Sequence, residues 1–128
     1  MRAMVIDDSR AMRMILKRIV AKLNFETVEA GDGQEALDLL ATMTEVPDLA
    51  LIDWNMPNMN GLEFVTKVRA DARLREMTLV MVTTESEQNQ IVRALAAGAH
   101  EYVIKPFTEG AMIEKLALLG LVPSGASS

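Results

Sequence analysis

Five positions in this 128-residue chain invite a chemical reading because of what precedes them. Asp7 and Asp8 follow Ala3-Met4-Val5-Ile6, and Asp53 follows Leu49-Ala50-Leu51-Ile52. Thr83, with Thr84 behind it, follows Leu79-Val80-Met81-Val82, and Lys105 follows Tyr102-Val103-Ile104. Taken singly, each has an ordinary explanation. Asp7-Asp8 can cap a helix, Asp53 can open a turn, Thr83 favours strands and Lys105 can simply be solvated. Taken together, they stand at the same end of separate apolar runs. If they meet, three carboxylates raise one another's pKa, and a bound divalent cation removes the conflict. Without His or Cys nearby, the ligands are all oxygens, which favours Mg²⁺ or Mn²⁺ over zinc. A metal on one side and the Lys105 ammonium on the other suit a phosphoryl group, which an aspartate can accept as an acyl phosphate.

Whether they meet depends on the elements that carry them. Short apolar runs alternate with helical periodicity along the chain. After the first strand, a helix from about Ser9 places Met12, Ile15, Ile19, Val20 and Leu23 on one face, with Ser9 or Asp8 as cap. Arg10, Arg13, Lys17 and Lys22 fall mainly outside that stripe and read as a solvated face. Thr27-Val28-Glu29 is a short second strand, and GDGQEALDLL opens a helix with Ala36, Leu37, Leu40 and Met43 inward. Leu49 to Ile52 is the third strand, followed by a helix from about Asn60 to Ala70 with Leu62, Val65 and Val68 inward. Leu79 to Val82 is the fourth strand, Ser86 to Ala97 a helix closed by Gly98, and Tyr102 to Ile104 the fifth strand. A last helix starts near Thr108 and is ended by Gly120 and Pro123.

Strands this apolar are buried on both faces, which implies a parallel sheet with helices on each side. The expected fold is therefore α/β, a doubly wound five-stranded parallel sheet, and the strand order expected for it is the common flavodoxin-like one, 2-1-3-4-5. That order sets strands one and three side by side, about 4.8 Å apart. Asp7, Asp8 and Asp53 then converge where ligands bind such sheets, with Thr83 and Lys105 flanking.

Composition limits the alternatives. The length suits one domain, expected over residues 1–122, with LVPSGASS leading into a short tail at 123–128. Zero cysteines exclude disulfides and thiolate chemistry, and a net charge of −5 argues against direct binding of nucleic acid. No run approaches the roughly 20 apolar residues a membrane helix needs. MRAMVIDDSR lacks a signal peptide's h-region and cleavage site, so the expected location is cytoplasmic. Ten methionines read as adaptable core filler, and His100 as an exposed loop residue without a partner.

VIDDSRAMR, DWNMPNMNGLE, MVTTES and YVIKPF, in this order and spacing, resemble the signature regions of the receiver domain of two-component response regulators. The likeness spans essentially the whole chain and is strongest to the stand-alone chemotaxis receivers of the CheY type. It implies that Asp53 is the phosphoacceptor, and that Asp7 and Asp8 bind Mg²⁺ with Asp53 and the backbone carbonyl of Asn55. By the same resemblance, Lys105 pairs with the acceptor carboxylate and then the phosphoryl group, and Lys105-Pro106 is a cis peptide. Thr83 bonds a phosphoryl oxygen, and Tyr102 turns inward behind it as the second half of a switch. Asn55 and Glu85 tune the phosphoaspartate's lifetime. Thr84 replaces the family's usual Ala or Gly and adds bulk beside the site. The expected output face comprises the fourth helix, fifth strand and fifth helix, with Ile91, Leu95, Tyr102, Ile104 and Lys115 as contacts.

The expected phosphodonor is a sensor histidine kinase or a histidine phosphotransfer protein. With no further domain after Ser128, the expected output is a contact with another protein, in chemotaxis or motility or in another phosphorelay. A monomer is expected, with dimerisation on phosphorylation left open. Rival readings differ at the same residues. A flavodoxin-like electron carrier needs a Ser/Thr/Gly-rich phosphate loop where Asp7-Asp8 stand. A haloacid-dehalogenase-type phosphatase normally has a second acid where Asn55 stands. A receiver used as a phosphorylation-independent scaffold has no need of the full set of acids, hydroxyl and lysine.

Overall fold

The computed structural model describes residues 1–121, so the expected tail, the stop at Pro123 and the last residue of the expected domain lie outside the described residues. Five parallel strands form one sheet in the order 2-1-3-4-5. They are β1 (Arg2–Ile6), β2 (Glu26–Ala30), β3 (Leu49–Ile52), β4 (Thr78–Thr83) and β5 (Glu101–Ile104). Among the described residues the helices are α1 (Arg10–Lys22), α2 (Gly33–Thr42), α3 (Gly61–Ala70), α4 (Gln88–Ala97) and α5 (Glu109–Leu118), with a 3-10 turn at Ala72–Leu74.

Because successive strand residues point to opposite faces, the central strands split their side chains between two cores. Met4, Ile6, Ala50, Ile52, Leu79 and Met81 pack against α2, α3 and α4 through Ala36, Leu40, Phe64, Val65, Val68 and Ala94. Ala3, Val5, Leu49, Leu51, Val80 and Val82 pack against α1 and α5 through Leu16, Ile19, Val20, Met112 and Leu116. Burial on both faces explains the uninterrupted apolar runs. β2, at the sheet's edge, is only partly covered and accordingly more polar. Met4, Met59, Met77, Met81 and Met112 are buried, as core filler would be.

Three expectations need correcting. The buried stripe of α1 runs through Leu16, Ile19 and Val20, with Met12 and Leu23 beside it, whereas Ile15 is 43% exposed. Positions 12, 16, 19 and 23 keep the helical period on one side, and Ile15 falls off its flank. α4 starts at Gln88 rather than Ser86, after Glu87, which makes no side-chain cap hydrogen bond. His100 is exposed but not without a partner. Its Nδ1 accepts from the Leu79 N–H at 3.1 Å and lies 3.0 Å from Arg69 Nη2, while its own N–H donates to the Leu79 carbonyl at 2.8 Å. Burial, and then the Arg69 charge, hold the imidazole pKa below its ordinary value. Nδ1 thus acts as acceptor and ties the start of β4 to the end of α3. Gly98 precedes this joint at φ +124°, a conformation that favours glycine, and closes α4 as expected.

Candidate phosphoryl-transfer site

The carboxyl ends of β1, β3, β4 and β5 bring the predicted residues into one cup. Sheet pairing continues one residue past the strands and fixes their backbones. The Asp53 N–H donates to the Ile6 carbonyl at 2.9 Å, Asp7 N–H to Ala30 at 3.1 Å and Lys105 N–H to Thr83 at 2.9 Å. Asp7, Asp53 and Thr83 are buried, and Asp8 stands at the exposed rim. One carboxylate oxygen from each of Asp7, Asp8 and Asp53 lies within 4.8 Å of the others.

Lys105 reaches into the cup, but its first partner differs from the expected one. Its Nζ is 2.8 Å from Asp7 Oδ2 and 3.6 Å from Asp53 Oδ2, so the ammonium hydrogen-bonds Asp7 and sits at ion-pair distance from Asp53. The peptide from Lys105 to Pro106 is cis, as the resemblance implied.

Burial raises the Asp53 carboxyl above its ordinary value of 3.8, and the charge of Asp7 adds to this. The Thr83 hydroxyl, Lys105 and the Trp54 N–H pull the other way without cancelling it. With three carboxylates facing the one Lys105 ammonium, the site can hold more negative charge than that cation neutralises, an imbalance that a bound divalent ion relieves. The donor set fits such an ion. Mg²⁺ binds oxygen at about 2.0–2.1 Å, so its ligands stand roughly 3 to 4 Å apart, and the three carboxylates need little closure.

The loops above the cup are joined through Glu85. Its Oε1 accepts from Asn55 Nδ2 at 2.8 Å, its carbonyl accepts from the Tyr102 hydroxyl at 2.7 Å, and its N–H faces Thr83 Oγ1 at 3.4 Å. Thr84 is exposed beside it. Tyr102 is only 7% exposed, so it already lies inward rather than waiting outside, and in this position it is not a surface contact. Ile91, expected on the output face, is half-buried against the core. Leu95 and Ile104 are exposed, joined by Val92, which the sequence reading did not single out. Lys115 pairs with Glu101 at 3.3 Å and borders a shallow groove between β5 and α5 lined by Ile104, Pro106 and Phe107.

Gly61 matters for a reason beyond starting α3. A Cβ there would lie 2.2 Å from the Asp53 carbonyl oxygen and 3.0 Å from its carbonyl carbon. The helix start and the Asp53 backbone pack as closely as glycine permits, while Asn60 and Glu63 close a capping box around that start. Gly61→Ala must push the Asp53 backbone aside. It is expected to cost about 2 kcal/mol in urea unfolding, and to slow phosphoryl uptake by displacing the carboxylate.

Residues 3–117 match the family described as the response regulator receiver domain. The chain belongs to that family. A chemotaxis protein CheY homolog of Campylobacter jejuni is 46% identical to this receiver over 117 residues, spanning 91% of this chain and 89% of the relative. Chemotaxis protein CheY1 of Helicobacter pylori is 42% identical over 120 residues, spanning 93% and 96%. Among solved structures, the chemotaxis response regulator CheY4 of Vibrio cholerae superposes with a TM-score of 0.84 at 29% identity, covering 92% of this chain and 97% of that one. The receiver thus has the fold and the two-component signalling family that its signature regions implied. Its acidic cluster is one that can hold a metal. Among the described residues no helix is long and apolar enough to cross a membrane.

Proposed function

We propose that this receiver accepts a phosphoryl group on Asp53 and so changes which protein it binds, in a chemotaxis or motility pathway. The observation that carries this reading is the meeting of Asp7, Asp8, Asp53 and Lys105 in one cup, with Thr83 beside Asp53. An Asp53 carboxylate oxygen attacks phosphorus in line. The bond from phosphorus to a phosphohistidine nitrogen, or to the oxygen of a small acyl phosphate, breaks, and the leaving group keeps that electron pair. Asp7, Asp8, Asp53 and the backbone carbonyl of Asn55 would hold Mg²⁺, which neutralises charge as it builds on the phosphoryl oxygens.

The chain's own groups do the rest. Lys105, which bridges Asp7 and Asp53, gains a phosphoryl oxygen as a partner. Thr83, fully buried at the end of β4, turns its hydroxyl to another. The phosphoaspartate carries roughly two negative charges in place of one. Drawing Thr83 toward it favours the conformation in which Tyr102 is inside, a bias on an existing equilibrium. Asn55 and Glu85, joined across the mouth, set how easily water reaches the acyl phosphate. A histidine kinase or phosphotransfer protein is the donor, and a protein target meets the face around Val92, Leu95, Ile104 and Lys115. The CheY relatives favour chemotaxis over another phosphorelay.

Trp54 offers the test, because it follows Asp53 directly, is 7% exposed and has the Arg93 guanidinium 5.8 Å from its ring centre. Its fluorescence is expected to change when Mg²⁺ is added and again with beryllofluoride or acetyl phosphate. A signal indifferent to all three would remove the proposed site.

A further inference from the structure

Asp7 is held at four points. Its N–H donates to the Ala30 carbonyl at 3.1 Å, its Oδ1 accepts from the Ser9 N–H at 2.8 Å and its Oδ2 accepts from Lys105 at 2.8 Å. The fourth tie comes from a residue that the helical pattern assigned to the solvated face. Arg13 Nη1 donates to the Asp7 carbonyl oxygen at 2.7 Å. The Arg13 side chain is only 17% exposed, and its Nε donates to Glu29 Oε1 at 2.8 Å. Glu29 lies on β2, in register with Val5. Its other oxygen accepts from Lys17, and Lys17 and Arg13 together hold its carboxyl below the ordinary range.

The carbonyl that Arg13 grips belongs to the peptide joining the two metal-site acids. A peptide unit is planar, so fixing the Asp7 oxygen also fixes the Asp8 nitrogen and Cα. Asp8 is exposed, and among the described residues its carboxylate has no hydrogen bond or ion pair to aim it. The point from which it reaches toward Asp7 and Asp53 is therefore set by its backbone.

We infer that Arg13 is a positioning residue for cation binding: anchored by Glu29, it sets the Asp7–Asp8 peptide so that both carboxylates face the ion. This rests on the Mg²⁺ reading given above. The sign of its effect separates it from plain electrostatics. A guanidinium near a cation site repels the cation, so removing its charge alone should tighten Mg²⁺ binding. Removing a positioning contact should weaken it, and outer contacts of this kind are worth about tenfold or more in affinity.

The test is calorimetric titration of the full chain with Mg²⁺, alongside thermal unfolding without the metal. Arg13→Met keeps the stem and helix propensity and is expected to bind Mg²⁺ about tenfold more weakly than wild type. Lys17→Met loses the same charge from the same Glu29 but does not reach Asp7, and should bind Mg²⁺ as well as wild type or better. Glu29→Gln, which loosens the anchor, should weaken binding by a smaller factor. It reads the inference independently should Arg13→Met not fold. Arg13→Met binding Mg²⁺ as tightly as wild type, or Lys17→Met losing as much as Arg13→Met, overturns the inference alone. A wild-type chain that binds no Mg²⁺ overturns the functional reading and this inference with it.

Discussion

Asp53→Asn is expected to abolish phosphoryl uptake from acetyl phosphate with Mg²⁺, a loss of about a hundredfold or more, because it removes the nucleophile and leaves only the positioning groups. The same substitution should make the metal-free fold more stable at neutral pH. Burial raises the folded-state pKa of Asp53 above its ordinary 3.8. A group raised in this way stabilises the fold fully below its unfolded pKa, and that contribution is lost as pH rises through the folded value. Above its unfolded pKa the wild type therefore bears the cost of burying an ionisable carboxyl that the amide lacks. The advantage of Asp53→Asn should shrink as the pH falls toward 4 and disappear below it. Unfolding midpoints of both proteins across that window, without metal, measure it. Adding Mg²⁺ should reverse the ranking, since the wild type keeps a carboxylate ligand that the variant lacks.

Lys105→Met should produce the largest loss of stability. Lys105 is the ion-pair partner of Asp7, whose side chain is 1% exposed, and it also neutralises Asp53 from 3.6 Å. Without it, two buried carboxylates face each other beside Asp8. Breaking a buried pair by removing one partner typically costs about 3 kcal/mol. That cost should appear in urea unfolding at neutral pH without metal and be largely recovered by Mg²⁺. The ammonium also competes with the ion for Asp7, so the variant should bind Mg²⁺ more tightly even though it is the less stable protein. A metal-free variant as stable as wild type would mean that Asp7 does not depend on this lysine.

The sequence made the framework legible because its signals were local. β3 was delimited to the residue, since four apolar residues stand between Asp48 and Asp53 and nothing else competes. The cup was legible for the same reason, as each of its residues ends an apolar run and a parallel sheet puts those ends together. The strand order is the common one for such sheets and is also the family's, so resemblance and pattern pointed the same way.

What stayed hidden depends on contacts between distant segments. Arg13 looked like a surface charge until β2 placed Glu29 beside it. The role of Gly61 had no local signal, since its 2.2 Å approach to Asp53 exists only once loop and helix are folded together. His100 gained its partners from β4 and α3, elements some twenty or thirty residues away. Spacing placed Lys105 in the cup but could not choose between Asp7 and Asp53. That choice turns on less than 1 Å.

The most direct measurement is chemical. An acyl phosphate is reduced by borohydride, which converts the modified aspartate to homoserine. After reaction with acetyl phosphate and Mg²⁺, borohydride treatment and peptide mass spectrometry should find homoserine at position 53. Homoserine at position 7 or 8, or an unmodified Asp53 in a folded, Mg²⁺-bound chain, would contradict the assignment of Asp53 as the residue this cup is built to phosphorylate.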